Sequence, residues 1–321
     1  MKKISFIIMA LSLVVVTGSV ARGEKSSGDK LVLRLNLEPN ANYLSTTDMN
    51  QSVTQKFGDK EQNMNQELLM TWQYDVLSKD SSGGYGIRLT YKRVKTSQDF
   101  GQRKLNYDSD DPPTSLDPSM KAMASLVGDQ LTMRISPGGK VTELEGISQM
   151  QEKMIEAMEI PDSVQRNVYL NDLKKQFGED AIRQSIEQMT DFYPSKSVRI
   201  GDTWKTGMDR SAGMPMRIES NYTLISRTDG VDSIDVSCQI KNNPESNSVN
   251  MGNMTMTYDI DGDQTGSILV DESTGLPIES NLSLNFAGNI KMSGIPNQDA
   301  QTWPISATGT VNVTFEKIAS Q

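Results

Sequence analysis

ESNLSLNFAGNIKM, residues 279–292, decides the fold. Leu282, Leu284, Phe286, Ile290 and Met292 share one parity, while Asn281, Ser283, Asn285 and Asn289 share the other. Side chains alternate across a strand, so this spacing predicts a strand with one buried and one wet face. LVLRLNL (31–37) and GTVNVTFEKI (309–318) repeat the pattern further out. Gly- and Asp-rich turns separate such runs: KDSSGG (79–84), SPGG (136–139), RTDG (227–230) and ESTG (272–275).

A helical block interrupts the alternation. Asp117 and Pro118 suit an N-cap and a first turn, with Met120, Met123 and Val127 following at helical spacing. Ile147, Met150, Met154, Ile155 and Met158 form a second stripe, ended by Pro161. Asp162 or Ser163 caps a third helix carrying Val164, Val168, Leu173 and Phe177; Gly178 then precedes Ile182, Ile186 and Met189.

Three stretches recur in order. WQYDVLSKDSSGGYGIRLTYKRV, from Trp72, aligns with SNYTLISRTDGVDSIDVSCQI, from Ser220, matching Tyr74 to Tyr222, Val76 to Leu224, Ser78 to Ser226 and Lys79 to Arg227. Upstream, LNLEPNANY and VRIGDTW share strand, polar turn and aromatic; downstream, GDQLTMRISPGGKV aligns with GDQTGSILVDESTGLP. Common order argues for duplication more strongly than any single hairpin. The expected fold is α+β, mainly β: a large curved antiparallel sheet or half-barrel from two similar β-units with a helical segment between them. The expected division is 1–21 a signal peptide, 22–145 an N-terminal β-unit with one short helix, 146–193 the helical segment, and 194–321 a C-terminal β-unit.

The start of the chain reads as an export signal. Lys2 and Lys3 precede an apolar run, Ile4 to Val16, and Ser19 and Ala21 supply small residues for cleavage after Ala21 or Gly23. The apolar run is short for a membrane span, so the processed protein is expected to be periplasmic or secreted and not membrane-spanning. Cleavage after Ala21 removes two of the 32 basic residues, leaving 30 against 41 acidic, a charge of −11. An acidic chain repels phosphate backbones, so nucleic acid is not an expected partner.

The sequence has no histidine and one cysteine, Cys238. Histidine-dependent triads and ordinary zinc sites are excluded, and no internal disulfide can form. Cys238 sits in the alternating SIDVSCQI and reads as a packing residue. Two acidic stretches invite a metal. In DIDGDQTGSILVDESTG (259–275) an EF-hand loop from Asp259 would need glycine where Gln264 stands and glutamate where Val270 stands. That stretch reads instead as two turns joined by a strand, Ser267 to Val270, with a calcium site of another kind as the alternative. YDSDDPPTSLDP (107–118) reads as a solvated acidic loop before a helix cap. No catalytic residue, cofactor or metal ligand is assigned.

FYPSKSVRIGDTWKTG and VDESTGLPIESNLSL resemble a family of bacterial exported proteins of unknown function. The first carries Pro194 and a Gly-Asp-x-Trp motif, Gly201, Asp202 and Trp204; the second is an Asp-x-x-Thr-Gly-Leu-Pro hairpin, Asp271, Thr274, Gly275, Leu276 and Pro277. The resemblance implies an envelope or secreted location and supplies no site residues. The hairpin is also similar to one in periplasmic lipoprotein carriers, whose curved sheet wraps a hydrophobic cavity.

The leading expectation is a non-enzymatic envelope protein that binds or carries an apolar small molecule or lipid. Its expected pocket lies between Met150, Met154 and Met158 on a helix and Leu282, Leu284 and Phe286 on the inner sheet face. A structural or protein–protein interaction module of the envelope is the alternative, and a carboxylate-type hydrolase the third reading.

Overall fold

The computed structural model describes residues 30–319 apart from 59, 102, 211–213, 244, 246, 252–253 and 295–298. The expected signal peptide and its cleavage site lie outside the described residues. The first unit comprises β1 (Asn42–Phe57), β2 (Lys60–Lys79), β3 (Tyr85–Asp99), β4 (Lys104–Asp108), α1 (Pro118–Ala124), β5 (Gln130–Ile135) and β6 (Val141–Glu145). Three helices follow: α2 (Ile147–Ala157), α3 (Ser163–Gln176) and α4 (Glu179–Gln188). The second unit comprises β7 (Thr203–Arg210), β8 (Met216–Thr228), β9 (Val231–Asn242), β10 (Ser248–Met251), β11 (Met254–Asp271), β12 (Pro277–Ser293) and β13 (Gln301–Ile318).

All thirteen strands form one curved antiparallel sheet in the order β6-β5-β3-β2-β1-β13-β12-β11-β9-β8-β7, with β4 beside β3 and β10 beside β11. The two units therefore follow each other in the same sense across the sheet, with β13 stitched between them. Leu282, Leu284, Phe286, Ile290 and Met292 are buried on β12, while Asn285, Asn289 and Lys291 face solvent. That face joins the helices in a single hydrophobic core.

The repeat holds down to backbone detail. Tyr43 pairs with Tyr74 across β1 and β2, and Trp204 pairs with Tyr222 across β7 and β8. Val76 N–H donates to the Ala41 carbonyl and Leu224 N–H to the Asp202 carbonyl. In return Asn40 N–H donates to Val76 and Gly201 N–H to Leu224, both donors taking a left-handed backbone. The register shifts in both hairpins, between Val76 and Ser78 and between Leu224 and Ser226, so Leu77 and Ile225 are equivalent bulge residues.

Three sequence expectations need correction. LVLRLNL is extended but not a sheet strand: Leu31 makes an isolated bridge to Val198, Leu35 N–H donates to Pro137, and Asn36 N–H donates to Thr274. Leu33, Leu35 and Leu37 are buried, so the alternation is real, but it belongs to a strap laid across two turns. The sequence from Asp259 to Gln264 is not a turn either. It lies inside β11, where Asp259, Asp261 and Asp263 alternate outward with Ile260 and Gln264 buried beneath them. Asp117 precedes α1 as expected, but makes no side-chain cap bond and pairs with Arg103 at 2.8 Å. The helix stripes otherwise fall on α2, α3 and α4, though the side chains of Val164 and Val168 lie outside the described residues.

Candidate functional site

The segment that ends α4, residues 186–193, lies over the inner sheet face and is fastened to both units. On one side Thr190 Oγ1 donates to the Gly139 carbonyl at 2.9 Å. On the other, Tyr193 Oη donates to the Gly275 carbonyl at 2.7 Å. Gly139 and Gly275 close the β5–β6 and β11–β12 turns, the matched hairpins of the repeat, with φ of +79° and +74°. A side chain at either would also strike its neighbour: Thr190 at Gly139, and the Arg34 carbonyl of the strap at Gly275. The two glycines thus let the roof and the strap seat against the sheet.

Both sequence motifs serve this fastening. Trp204 Nε1 donates to the Phe192 carbonyl at 2.8 Å, and its ring stacks on Tyr222 with centroids 5.7 Å apart. Asp202 Oδ2 accepts from Arg199 N–H, and Gly201 supplies the left-handed turn before β7. In the second motif, Asp271 Oδ1 accepts from Thr274 N–H at 2.7 Å, an Asx-type closure that presents the Gly275 carbonyl to Tyr193.

Under this roof lies a cavity of about 60 Å³. Phe192 and Met189 cover it; Ile218, Val236, Ile268, Leu282 and Val313 form its apolar wall. Gln188, Asp191 and Met208, all half-buried, make its rim beside the edge strand β7. A polar cluster occupies one side. Asp191 Oδ2 accepts hydrogen bonds from Thr206 and, at 3.3 Å, from Tyr222. Cys238 Sγ donates to Ser220 Oγ at 3.2 Å. Next in register on β11, Gln264 is 4% exposed and its Oε1 has no hydrogen-bond partner among the described residues. Leaving a buried carbonyl oxygen without a donor is costly, which singles this atom out.

Burial pushes the Asp191 carboxyl above the usual aspartate range, and the bonds from Thr206 and Tyr222 partly offset that. Burial likewise raises the Tyr222 phenol well above its ordinary value and the Cys238 thiol to about 11. Cys238 is therefore a protonated packing thiol at neutral pH.

A second cavity of about 30 Å³ lies over the first unit, walled by Leu35, Ile87, Met133, Ile135 and Phe315. Met189 and Pro277 line both cavities.

Of the six residues expected to form a pocket, only Leu282 lines either cavity. Leu284 and Phe286 continue the same inner face of β12, fully packed. Met150, Met154 and Met158 are buried on or just after α2, which packs beside α1 and α3. Asp191, Tyr222, Ser220 and Gln264 went unassigned because they come from three separate parts of the chain, the segment after α4, β8 and β11. The one local signal is an acid set between Met189 and Phe192, where a helix stripe runs out. Among the described residues no group of acids and Cys238 is arranged to hold a metal ion, and no helix is long and apolar enough to cross a membrane.

Residues 82–277 match a family described as a family of unknown function, DUF6263. The chain belongs to that family. The matched stretch includes the roof, both motifs and Pro277 in the cavity wall. No curated protein matches the sequence. Among solved structures, one of lipid–protein interactions in lipovitellin is similar at TM-score 0.42 and 9% identity, over 89% of this chain and 26% of its own. This chain thus spans about a quarter of that one. An outer membrane channel from Pseudomonas putida F1 is similar at TM-score 0.23 and 7% identity, over 91% of this chain and 100% of its own. OccK5 (OpdH) of Pseudomonas aeruginosa follows at 0.19 and 8%, over 88% and 99%. Likenesses this distant carry no argument about what the chain binds.

Proposed function

We propose that the chain is an exported protein of the cell envelope that binds a small molecule with an apolar body beneath the end of α4 and does not transform it. The observation that carries this reading is the cavity itself, an apolar wall that includes the buried Gln264, whose Oε1 has no hydrogen-bond partner among the described residues. Apolar pockets with a few placed polar groups are the usual form of small-molecule sites. Binding is favoured over catalysis because Asp191 is, among the described residues, the one carboxylate lining the cavity, and its Oδ2 already accepts from Thr206 and Tyr222. Paired-carboxylate hydrolysis would need a second acid facing it. Export rests on the basic, apolar and small-residue pattern of the first 21 residues.

The test is native mass spectrometry of the full chain expressed with its own N-terminus and recovered from a bacterial envelope fraction. The expected result is a protein beginning at Arg22 or Glu24 with a small apolar molecule retained. Recovery in the cytoplasm with Met1 in place would contradict the location, and failure to bind any apolar compound would contradict the binding.

A second reading, an interaction module, is favoured by one observation. β7 ends the sheet order, so its outer backbone lacks a strand partner among the described residues. Such an edge accepts an added strand. Cross-linking from Lys205 to an envelope protein, with no small molecule bound, would favour that reading.

A further inference from the structure

We infer that Met189 is a movable partition between two chambers of one pocket, and that the pocket takes an unbranched molecule of medium length with a neutral, hydrogen-bond-donating end. This rests on the binding reading above and names its ligand class.

The two cavities are neighbours along the same wall. Val313 lines the first and Phe315 the second, two positions apart on β13, a separation of about 7 Å. Met189 and Pro277 belong to both. Pro277 is part of the sheet wall, so Met189 is what divides the space. The backbone around Met189 is held by Thr190 to Gly139, Tyr193 to Gly275 and Trp204 to Phe192. Its side chain is half-buried and unbranched, and meets the Tyr74 hydroxyl at a loose 3.9 Å. Such a side chain changes rotamer without moving the backbone. The fold therefore fixes the roof and leaves the partition adjustable.

Size argues that the chambers work together. Volumes of about 60 and about 30 Å³ each fall short of the ~150 Å³ cavity that accepts benzene. With Met189 turned aside they become one narrow channel of about 90 Å³, still short of that cavity, so it admits a slender flexible chain and not a ring.

Charge and hydrogen bonding fix the head. Gln264 lines the first chamber and its Oε1, which can only accept, lacks a donor among the described residues. The second is lined mainly by Leu35, Ile87, Met133, Ile135 and Phe315, with the unpartnered hydroxyl of Tyr43 as its polar exception. Among the described residues no lysine or arginine lines either chamber, and Asp191 stands on the rim of the first. A carboxylate or phosphate head would meet repulsion without a counter-charge, so a hydroxyl or primary amide fits.

Calorimetric titration of the native protein with n-alkan-1-ols from butanol to decanol, and with n-octanoate, tests this. In the wild type the affinity is expected to rise about fourfold per methylene beyond butanol. Octanoate is expected to bind at least tenfold more weakly than octanol. Met189→Ile, with a stiffer side chain, should flatten the gain with length, while Met189→Ala should steepen it; opposite signs exclude simple misfolding. Gln264→Leu should weaken every alcohol about fivefold. Butanol binding with no gain for longer alcohols, or a gain indifferent to both Met189 substitutions, would overturn the partition and leave the binding reading standing. A folded protein that binds no alcohol at all removes both.

Discussion

Tyr74 and Tyr222 hold the same place in the two β-units and direct their hydroxyls at one segment, Tyr74 toward Met189 Sδ at 3.9 Å and Tyr222 toward Asp191 Oδ2 at 3.3 Å. A duplicated sheet has thus given its two copies different work at the same position. One tyrosine meets an adaptable thioether, the other a buried carboxylate. Tyr222→Phe is expected to destabilise the fold by about 1 kcal/mol, because it removes a donor from a desolvated acid. Tyr74→Phe should cost less than about 0.5 kcal/mol, since sulfur is a weak acceptor at that distance. Urea midpoints of the two variants measure the difference; equal losses would mean the copies are not differentiated.

Stability should depend on Asp191 in a defined direction. Its folded pKa is raised, chiefly by burial, so the folded state favours the protonated acid. The stability it contributes is present below the unfolded aspartate pKa and is lost as pH rises through the folded value. Asp191→Asn removes that loss and still accepts hydrogen bonds. The variant's melting temperature relative to wild type is therefore expected to be higher at pH 7 than at pH 3.5. A difference that shrinks as pH rises would show that Asp191 is stabilised as the anion.

Cys238 should be inert in the native protein. With its thiol pushed up to about 11 and 4% exposed, almost none is thiolate at pH 8. Ellman's reagent is expected to modify it only after unfolding in urea. Fast native reaction would place it at an open surface.

The roof should depend on two equivalent glycines. Gly139→Ala and Gly275→Ala each combine left-handed strain with a collision, and each is expected to cost more than about 2 kcal/mol. Gly230→Ala is the control: its φ is +78° but nothing lies within 4 Å, so about 1 kcal/mol is expected. Equal costs at all three would mean the roof does not rely on close approach.

The sheet was legible wherever its inner face was apolar. β12 and β13 alternate cleanly, and the Tyr74–Tyr222 alignment found the repeat, including equivalent bulges that no pattern specified. β1 escaped notice because its inward positions include Ser45, Gln51 and Gln55, all buried, which dilute the apolar alternation. LVLRLNL misled for the opposite reason: Leu33, Leu35 and Leu37 alternate against the core without a lateral strand to join. In Asp259 to Gln264 the acids suggested a turn, yet aspartates on the solvent face of a strand satisfy the same alternation. The expected pocket paired two real buried stripes, but a stripe shows which face is buried and not where packing leaves space. The cavity formed where the α4 stripe ends, at Met189, from residues far apart in the chain.

Methyl NMR of the protein labelled at methionine, titrated with n-octanol, tests most directly whether an apolar ligand enters beneath α4. Met189 and Met208 line that cavity, while Met150, Met154 and Met158 are buried on the α2 side. The expected result is a saturable shift of the Met189 and Met208 methyls, with those of Met150, Met154 and Met158 unmoved. Shifts confined to Met150, Met154 and Met158, or no shift in the folded protein, would contradict it.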